Sequence, residues 1–385
     1  MWISIRKVAR AAALLALACA AGCSKKQPPV PTAPKAARPT DVILITLDTT
    51  RRDHLGAYGY GPPVSTHIDS FAKAADLYTK AYASSSWTVP THASILTGLY
   101  ASDHGAHGSS KDGIVQLEPE VPTLAEALRE RGYATGAVLG AHTLNQKFGL
   151  SRGFDLYEAP AGDTLLASRR ADVITQRALQ WVDEQGERPL FLFVNYFDAH
   201  IPYRPSGSCR DRFAKGVSPH VGNSNQWLKR PLDENLRLYD AEICYMDEQL
   251  GLLLDGLKKR DRFDDALVVI AADHGESFDA GKGPHHGDTL DEALIHVPLF
   301  VKHPKQTQGA RVEELFETRR LFFTMRDATA DPPAKAPAPQ DESHAQAFAV
   351  SELWRGKPDD LNPVLRALIR WPLKLLKPPG DGTEP

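Results

Sequence analysis

The chain has 385 residues, of which 42% are hydrophobic and 24% charged, and 48 acids against 45 lysines and arginines give a formal net charge of -3. That length can bury one large core, or a large domain with a smaller appendage. A charge so close to balance supplies no basic field, which argues against nucleic acid as a partner.

The N-terminal segment reads as targeting rather than fold. Arg6, Lys7 and Arg10 precede the apolar run AAALLALACAA, which then meets Gly22-Cys23. This is a secretory signal, too short to span a bilayer. A plain signal cleaved nearby is one reading. The stretch Ala20-Ala21-Gly22-Cys23 also resembles the bacterial lipoprotein cleavage box. That resemblance implies that residues 1–23 are signal and lipobox, with Cys23 lipidated. Ser24 after the cysteine then implies outer-membrane sorting in a Gram-negative envelope, facing the periplasm, with the membrane a partner through the lipid anchor. Residues 24–40 include KKQPPVPTAPKAARPT, a Pro-rich polar run that packs no core and forms a semi-rigid tether. The body begins at Asp41.

Three apolar runs predict buried strands: VILITL from Val42, LFLFVNYF from Leu190 and ALVVIAA from Ala266. Helices are expected between them. In SSSWTVPTHASILTGLY, Ser84 to Tyr100, Pro90 suits the first helical position and Gly98 the stop. Thr123-Leu-Ala-Glu126 is a capping box opening a helix that Gly132 closes. A helix near Leu165 to Val182 precedes the second strand. Before the third, Leu236, Tyr239, Ile243, Met246, Leu250, Leu253 and Leu257 form one apolar face of a long helix. Such alternation predicts an α/β fold, a mainly parallel sheet with helices on both faces. Beyond Pro304 the chain thins: DPPAKAPAPQD, Asp331 to Asp341, is linker-like, and AFAVSELW from Ala347 reads as one short strand. Of the four cysteines, Cys209 and Cys244 lie in the body. An oxidising compartment permits a bridge between them, but the sequence leaves open whether their Cα atoms come close enough.

Each apolar strand ends in acid or imidazole: Asp48, then Asp198-Ala199-His200, then Asp273-His274-Gly275. In a parallel sheet, ligands bind beyond the carboxyl ends of the strands, where these groups project together. A single acid there is ordinarily a turn or helix cap. Three such ends suit a divalent metal, and the mixed oxygen and nitrogen donors favour zinc or manganese over calcium. Thr88, at the mouth of its helix, is either an N-cap or a group beside an anion site, where unpaired N–H groups and a positive dipole attract negative charge. His285 and His286, in GKGPHHGD, are either solvated loop residues or groups that protonate a leaving group or bind an anionic oxygen.

From Asp41 to Pro304 these pieces, in order, resemble the sulfatase branch of the alkaline phosphatase superfamily: DVILITLDTTRRDHLGAYG, the Thr88 segment, YFDAHIPYRP, LYDAEICYMDEQL, ADHGESF and HHGDTLDEALIHVPLF. The resemblance implies an alkaline-phosphatase-like α/β sandwich, with residues 41–304 the catalytic domain and 305–385 a linker-rich, truncated C-terminal subdomain entered at LIRWPLKLL. It implies that Asp48, Asp273 and His274 hold a metal with Thr88 in the nucleophile's place. His200 and His286 would be catalytic on the substrate and leaving-group side; His92, Asp198 and His285 would touch an anionic ester substrate. Two departures separate the chain from ordinary sulfatases, which place an oxidisable Cys or Ser before x-Pro-x-Arg and open with an acidic pair. Here the motif is Thr88-Val-Pro-Thr-His92, and Asp48 is followed by Thr49. These resemble the nucleotide pyrophosphatase/phosphodiesterase branch, in which a metal-bound threonine attacks phosphorus. That branch's Asp-x-x-x-His for a second metal is matched only by Asp198-x-His200, so one metal site is expected. The expected activity is a metal-dependent hydrolase or transferase, phosphoester over sulfate ester. The alternatives are an ordinary sulfatase and a catalytically inactive sulfatase-fold binding protein of the envelope.

Overall fold

The structure, a computed structural model, describes residues 39–107, 115–162, 164–220, 229–279, 282–330, 349–353 and 365–377. The signal, Cys23, the tether up to Arg38 and the Asp331–Asp341 run lie outside the described residues.

In chain order the strands are β1 Val42–Leu47, β2 Asp76–Tyr82, β3 Ala134–Leu139, β4 Leu156–Glu158, β5 Leu190–Tyr196, β6 Leu267–Ala272, β7 Ser277–Asp279, β8 Gly283–His285, β9 His296–Val297, β10 Leu299–Lys302, β11 Arg311–Glu317, β12 Ala349–Leu353, β13 Leu365–Arg370 and β14 Leu373–Lys377. The main sheet runs β11-β2-β10-β6-β1-β5-β3-β4, with β9 also paired to β2. β1 is parallel to both β5 and β6, and β3 to both β5 and β4, whereas β10 enters antiparallel between β6 and β2. Strands β12 to β14 form a separate antiparallel sheet, and β7 pairs with β8 as a hairpin.

Helices α1 Thr66–Ala72, α2 Thr88–Thr97, α3 Ala101–His104, α4 Leu124–Glu130, α5 Ala171–Glu184, α6 Gly207–Phe213, α7 Leu232–Lys258, α8 Glu292–Ile295 and α9 Leu321–Ala328 cover the main sheet. β1 is buried on both faces, which is why its sequence is a continuous apolar run rather than an alternating one. Its Ile43, Ile45 and Leu47 join a core with residues of α1, α5, α6 and α7. Val42 and Leu44 point the other way, into a core with residues of α2, α4 and α9. The expected sandwich is therefore present.

Local chemistry sets several boundaries. Thr123 Oγ1 accepts the Glu126 N–H at 3.2 Å while Glu126 accepts the Thr123 N–H at 2.8 Å, closing the capping box at α4. The helix expected from Leu165 begins only at Ala171, because the Arg169 N–H is drawn to the Gly140 carbonyl at 3.0 Å and breaks the run. α2 starts two residues before Pro90: Trp87 holds the extended cap conformation, so Thr88 is the first helical residue and not a cap. Beyond residue 304, β11 runs parallel to β2 and α9 packs on the α2 face, so residues 311–328 belong with the main sheet, and β12 to β14 make up the separate one. Cys209 of α6 and Cys244 of α7 are joined by a disulfide, Cα to Cα 5.7 Å, which answers the question the sequence left open.

Candidate metal centre and active site

Register brings the strand ends together. Leu47 lies opposite Tyr196 on one side and Ala272 on the other, so β5, β1 and β6 end level and Asp48 and Asp273 leave the sheet side by side. The sharp path after β6 requires Gly275: a Cβ there would sit 1.9 Å from the Ala293 carbonyl oxygen. Potential ligand atoms of Asp48, Asp273 and His274 all lie within 4.8 Å of one another, and all three residues are fully buried.

Asp273 Oδ1 accepts the backbone N–H of His274 at 2.8 Å and of Thr49 at 3.2 Å. His274 Nδ1 donates to the Gly275 carbonyl at 2.9 Å, which leaves Nε2 as the nitrogen carrying a lone pair. Burial, followed by the charge of His286, holds His274 well below the ordinary histidine range, so the ring is neutral. Burial, then the neighbouring Asp273 and Glu276, pushes the Asp48 carboxyl well above its usual range. Both carboxylate oxygens of Asp48 and Oδ2 of Asp273 are buried without a hydrogen-bond partner among the described residues. Orphaned acceptors of this kind are costly unless a cation or donor meets them. Two carboxylates beside a neutral imidazole nitrogen therefore fit a divalent cation. Among the described residues the other cluster of potential ligands, Cys209, Cys244 and Glu248, contains the disulfide.

Thr88 is 2% exposed, and its Oγ1 lies 3.4 Å from His274 Nε2, at the N-terminus of α2. One turn on, His92 is buried with Nδ1 2.8 Å from the Thr88 carbonyl and Nε2 2.9 Å from Thr46 Oγ1. Both ring nitrogens of His92, expected on the substrate side, are thus engaged within the protein: Nδ1 inside α2 itself, and Nε2 tying α2 to β1. His200 stacks on Phe197 with centroids 4.2 Å apart and meets His286 edge-on at 4.8 Å. His286 in turn lies 4.6 Å from the His274 ring. Glu276 Oε1 sits 2.8 Å from His286 Nδ1. Burial opposes protonation of His286, but the charge and hydrogen bond of Glu276 outweigh it and hold this histidine above its ordinary value. Burial and then the charge of His286 hold His200 well below its own.

Two expected site residues stand apart from this group. His285 places Nδ1 2.9 Å from the Gly283 carbonyl and Nε2 3.4 and 3.6 Å from Asp279 and Asp288, so it serves its own loop. Asp198 Oδ1 takes Arg170 Nε at 3.1 Å and the Ala171 N–H at 3.3 Å, which ties it to the start of α5, and it is not part of the Asp48–Asp273–His274 cluster, although its Oδ2 is also buried without a hydrogen-bond partner among the described residues. Arg170 also pairs with the buried Glu242 at 3.0 Å. Beside them Ser168, Arg169, Arg170, His200 and Arg204 line a small pocket. Sequence reasoning assigned no part to Glu276, Phe197, Arg170 or Glu242. Glu276 had a signal, standing three residues after Asp273; the Arg170 network joins α5 to α7 and had none.

A fold with helices on both faces of a mainly parallel sheet, carrying a buried carboxylate–imidazole cluster at the strand ends, defines an alkaline-phosphatase-like protein. The family model described as Sulfatase matches residues 40–330, and the chain belongs to the sulfatase family. It is 26% identical over 293 residues to human N-sulphoglucosamine sulphohydrolase, covering 70% of this chain and 57% of that protein. It is also 26% identical over 315 residues to the ulvan-active sulfatase of Formosa agariphila, covering 73% of this chain and 59% of that protein. The chain thus spans less than two thirds of the length of these curated relatives. Among solved structures, a protein in complex with its substrate D-glucosamine-2-N,6-O-disulfate superposes with a TM-score of 0.72 at 15% identity over 90% of each chain. The phosphonate monoester hydrolase of Agrobacterium radiobacter does so with a TM-score of 0.66 at 18% identity over 89% of each.

Proposed function

We propose that the chain is a metal-dependent hydrolase or transferase of anionic esters, phosphorus esters before sulfate esters, with Thr88 as nucleophile. The observation that carries this reading is Thr88 Oγ1, 3.4 Å from His274 Nε2 and at the N-terminus of α2, beside carboxylates with orphaned oxygens. Asp48, Asp273 and His274 would hold the cation, zinc or manganese before calcium, and its chemistry when bound is Lewis-acid stabilisation of negative charge. The α2 N-terminus attracts the anionic ester and orients it toward Thr88. Thr88 gives up its hydroxyl proton to solvent, a loss that a cation held by Asp48, Asp273 and His274 would favour, as Oγ1 bonds to phosphorus and the P–O bond to the leaving group breaks; the departing oxygen takes a proton from His286, whose protonated form Glu276 favours. A second displacement, by water or an acceptor alcohol, frees Thr88 again. His200 is assigned to the substrate side, next to His286, His92 to holding the Thr88 turn, and Asp198 to positioning Arg170 at the rim.

The same fold carries sulfatases and phosphonate monoester hydrolases, so the choice rests on residue 88. A threonine has one hydroxyl. It cannot form the geminal diol that expels sulfate by elimination, so a sulfated Thr88 is cleared only by another displacement. The sulfatase reading is favoured by the names of the curated relatives. Envelope attachment through a lipidated Cys23, on the outer membrane facing the periplasm, is part of the proposal, motivated by the Gly22-Cys23 box. Purified protein given a phosphodiester, a phosphonate monoester and a sulfate monoester with the same leaving group, each with zinc or manganese, tests the reading. A faster sulfate reaction establishes a sulfatase. Metal and ester binding without turnover of any of them establishes the binding protein.

A further inference from the structure

The C-terminal hairpin carries a feature that no part of the active site uses. Ala367 and Ile369 of β13 face inward and are buried with Leu353, Tyr82 and Leu290. The period-two alternation of a strand then turns Leu368 and Arg370 outward. In the register of the pair, Leu368 lies opposite Leu375, Arg370 opposite Leu373, and Arg366 opposite Lys377, so these share the outer face. Leu373 is 72% exposed, Leu375 65% and Leu368 38%, while Trp371 at the tip is 48% exposed. From Leu365 to Lys377 the chain carries Arg366, Arg370, Lys374 and Lys377 and no acid, although its net charge is -3. Glu352 and Glu292 reach in from neighbouring elements to pair with Arg366 and Lys374.

We propose that this outer face docks on an anionic lipid surface. Leucines ringed by cations, with a Trp-Pro tip, are the composition of an interfacial contact: apolar side chains enter the headgroup boundary while lysine and arginine meet its negative charge. Two features argue against a strand from another chain adding to β14. Pro372 stands at its start, and Lys374 and Lys377 lie along it, all devices that discourage edge pairing. The face rather than the edge is therefore the contact.

The test uses the chain from Ser24 onward, so that neither acylation nor the apolar signal contributes, in co-sedimentation with vesicles of phosphatidylcholine alone or mixed with phosphatidylglycerol. The parent chain should bind the mixed vesicles and leave the neutral ones largely unbound. Leu373→Ser/Leu375→Ser should weaken binding at least tenfold, and Lys377→Glu several-fold, each with an unchanged thermal midpoint because the side chains are exposed. Equal binding to both vesicle types, or equal binding of parent and both variants, overturns the proposal. So does a dimer in sedimentation that the double leucine variant abolishes while vesicles go unbound, since a second copy is then the occupant.

Discussion

The Cys209–Cys244 bridge gives a stability prediction whose size follows from chain separation alone. The two cysteines are 35 residues apart and pin α6 against α7. In the chain-entropy account, closing such a loop lowers the entropy of the unfolded chain by about 13 cal/mol/K, or roughly 4 kcal/mol at 25 °C. With about 300 ordered residues and an unfolding entropy of about 2.1 cal/mol/K per residue, that is a midpoint shift of about 6 °C. Thermal unfolding followed by circular dichroism should place the oxidised protein about that far above both its reduced form and a Cys209→Ala/Cys244→Ala variant. The two lower midpoints should agree within a few degrees, since both lose the same constraint. The bridge also steadies α7, whose Tyr239 hydroxyl donates to the Thr49 carbonyl at 2.7 Å beside Asp48. An oxidised protein that melts with its reduced form, or that titrates with two free thiols after oxidative refolding, refutes the reasoning.

Asp273→Ala and His274→Ala should each remove bound metal, measured by elemental analysis of purified protein, because the cluster has few ligands to lose. Asp198→Ala should leave one metal per chain, since Arg170 and the Ala171 N–H already occupy its Oδ1; loss of metal would move Asp198 into the centre. His104 is buried, accepts the Ala106 N–H on Nδ1 at 3.0 Å, and is pushed down to about 3 by burial and then by His107. Its folded pKa lies below the unfolded value of about 6.5, so its contribution is present above that pH and lost as pH falls toward 3, by up to about 1.4 kcal/mol per pH unit. His104→Gln should flatten the acid side of a urea-unfolding profile, and an unchanged slope contradicts the assignment.

Much of the framework was legible because it depends on local pattern. Buried parallel strands read as unbroken apolar runs, which located β1, β5 and β6, and their shared direction put Asp48, Asp273 and His274 at one edge before any coordinates. The apolar face of α7 and the capping box at α4 are equally local. What stayed hidden depends on contacts between distant segments. Nothing near Asp198 announces Arg170, which reaches it from the start of α5 and binds Glu242 on α7 with the same guanidinium. His92 looks like a substrate group in sequence, but the helical step returns its ring to the Thr88 carbonyl. β11 was missed because its partner, β2, lies more than 200 residues earlier in the chain, as the pairing of Arg311 with Leu77 records.

The account stands most directly on Thr88. With metal restored, turnover of the preferred phosphorus ester should fall by several orders of magnitude in Thr88→Ala while metal content holds, because Asp48, Asp273 and His274 remain. Thr88→Ser keeps the hydroxyl and should retain much of the activity. If instead Thr88→Ala turns over the ester at the rate of the unmodified chain, Thr88 is not the nucleophile.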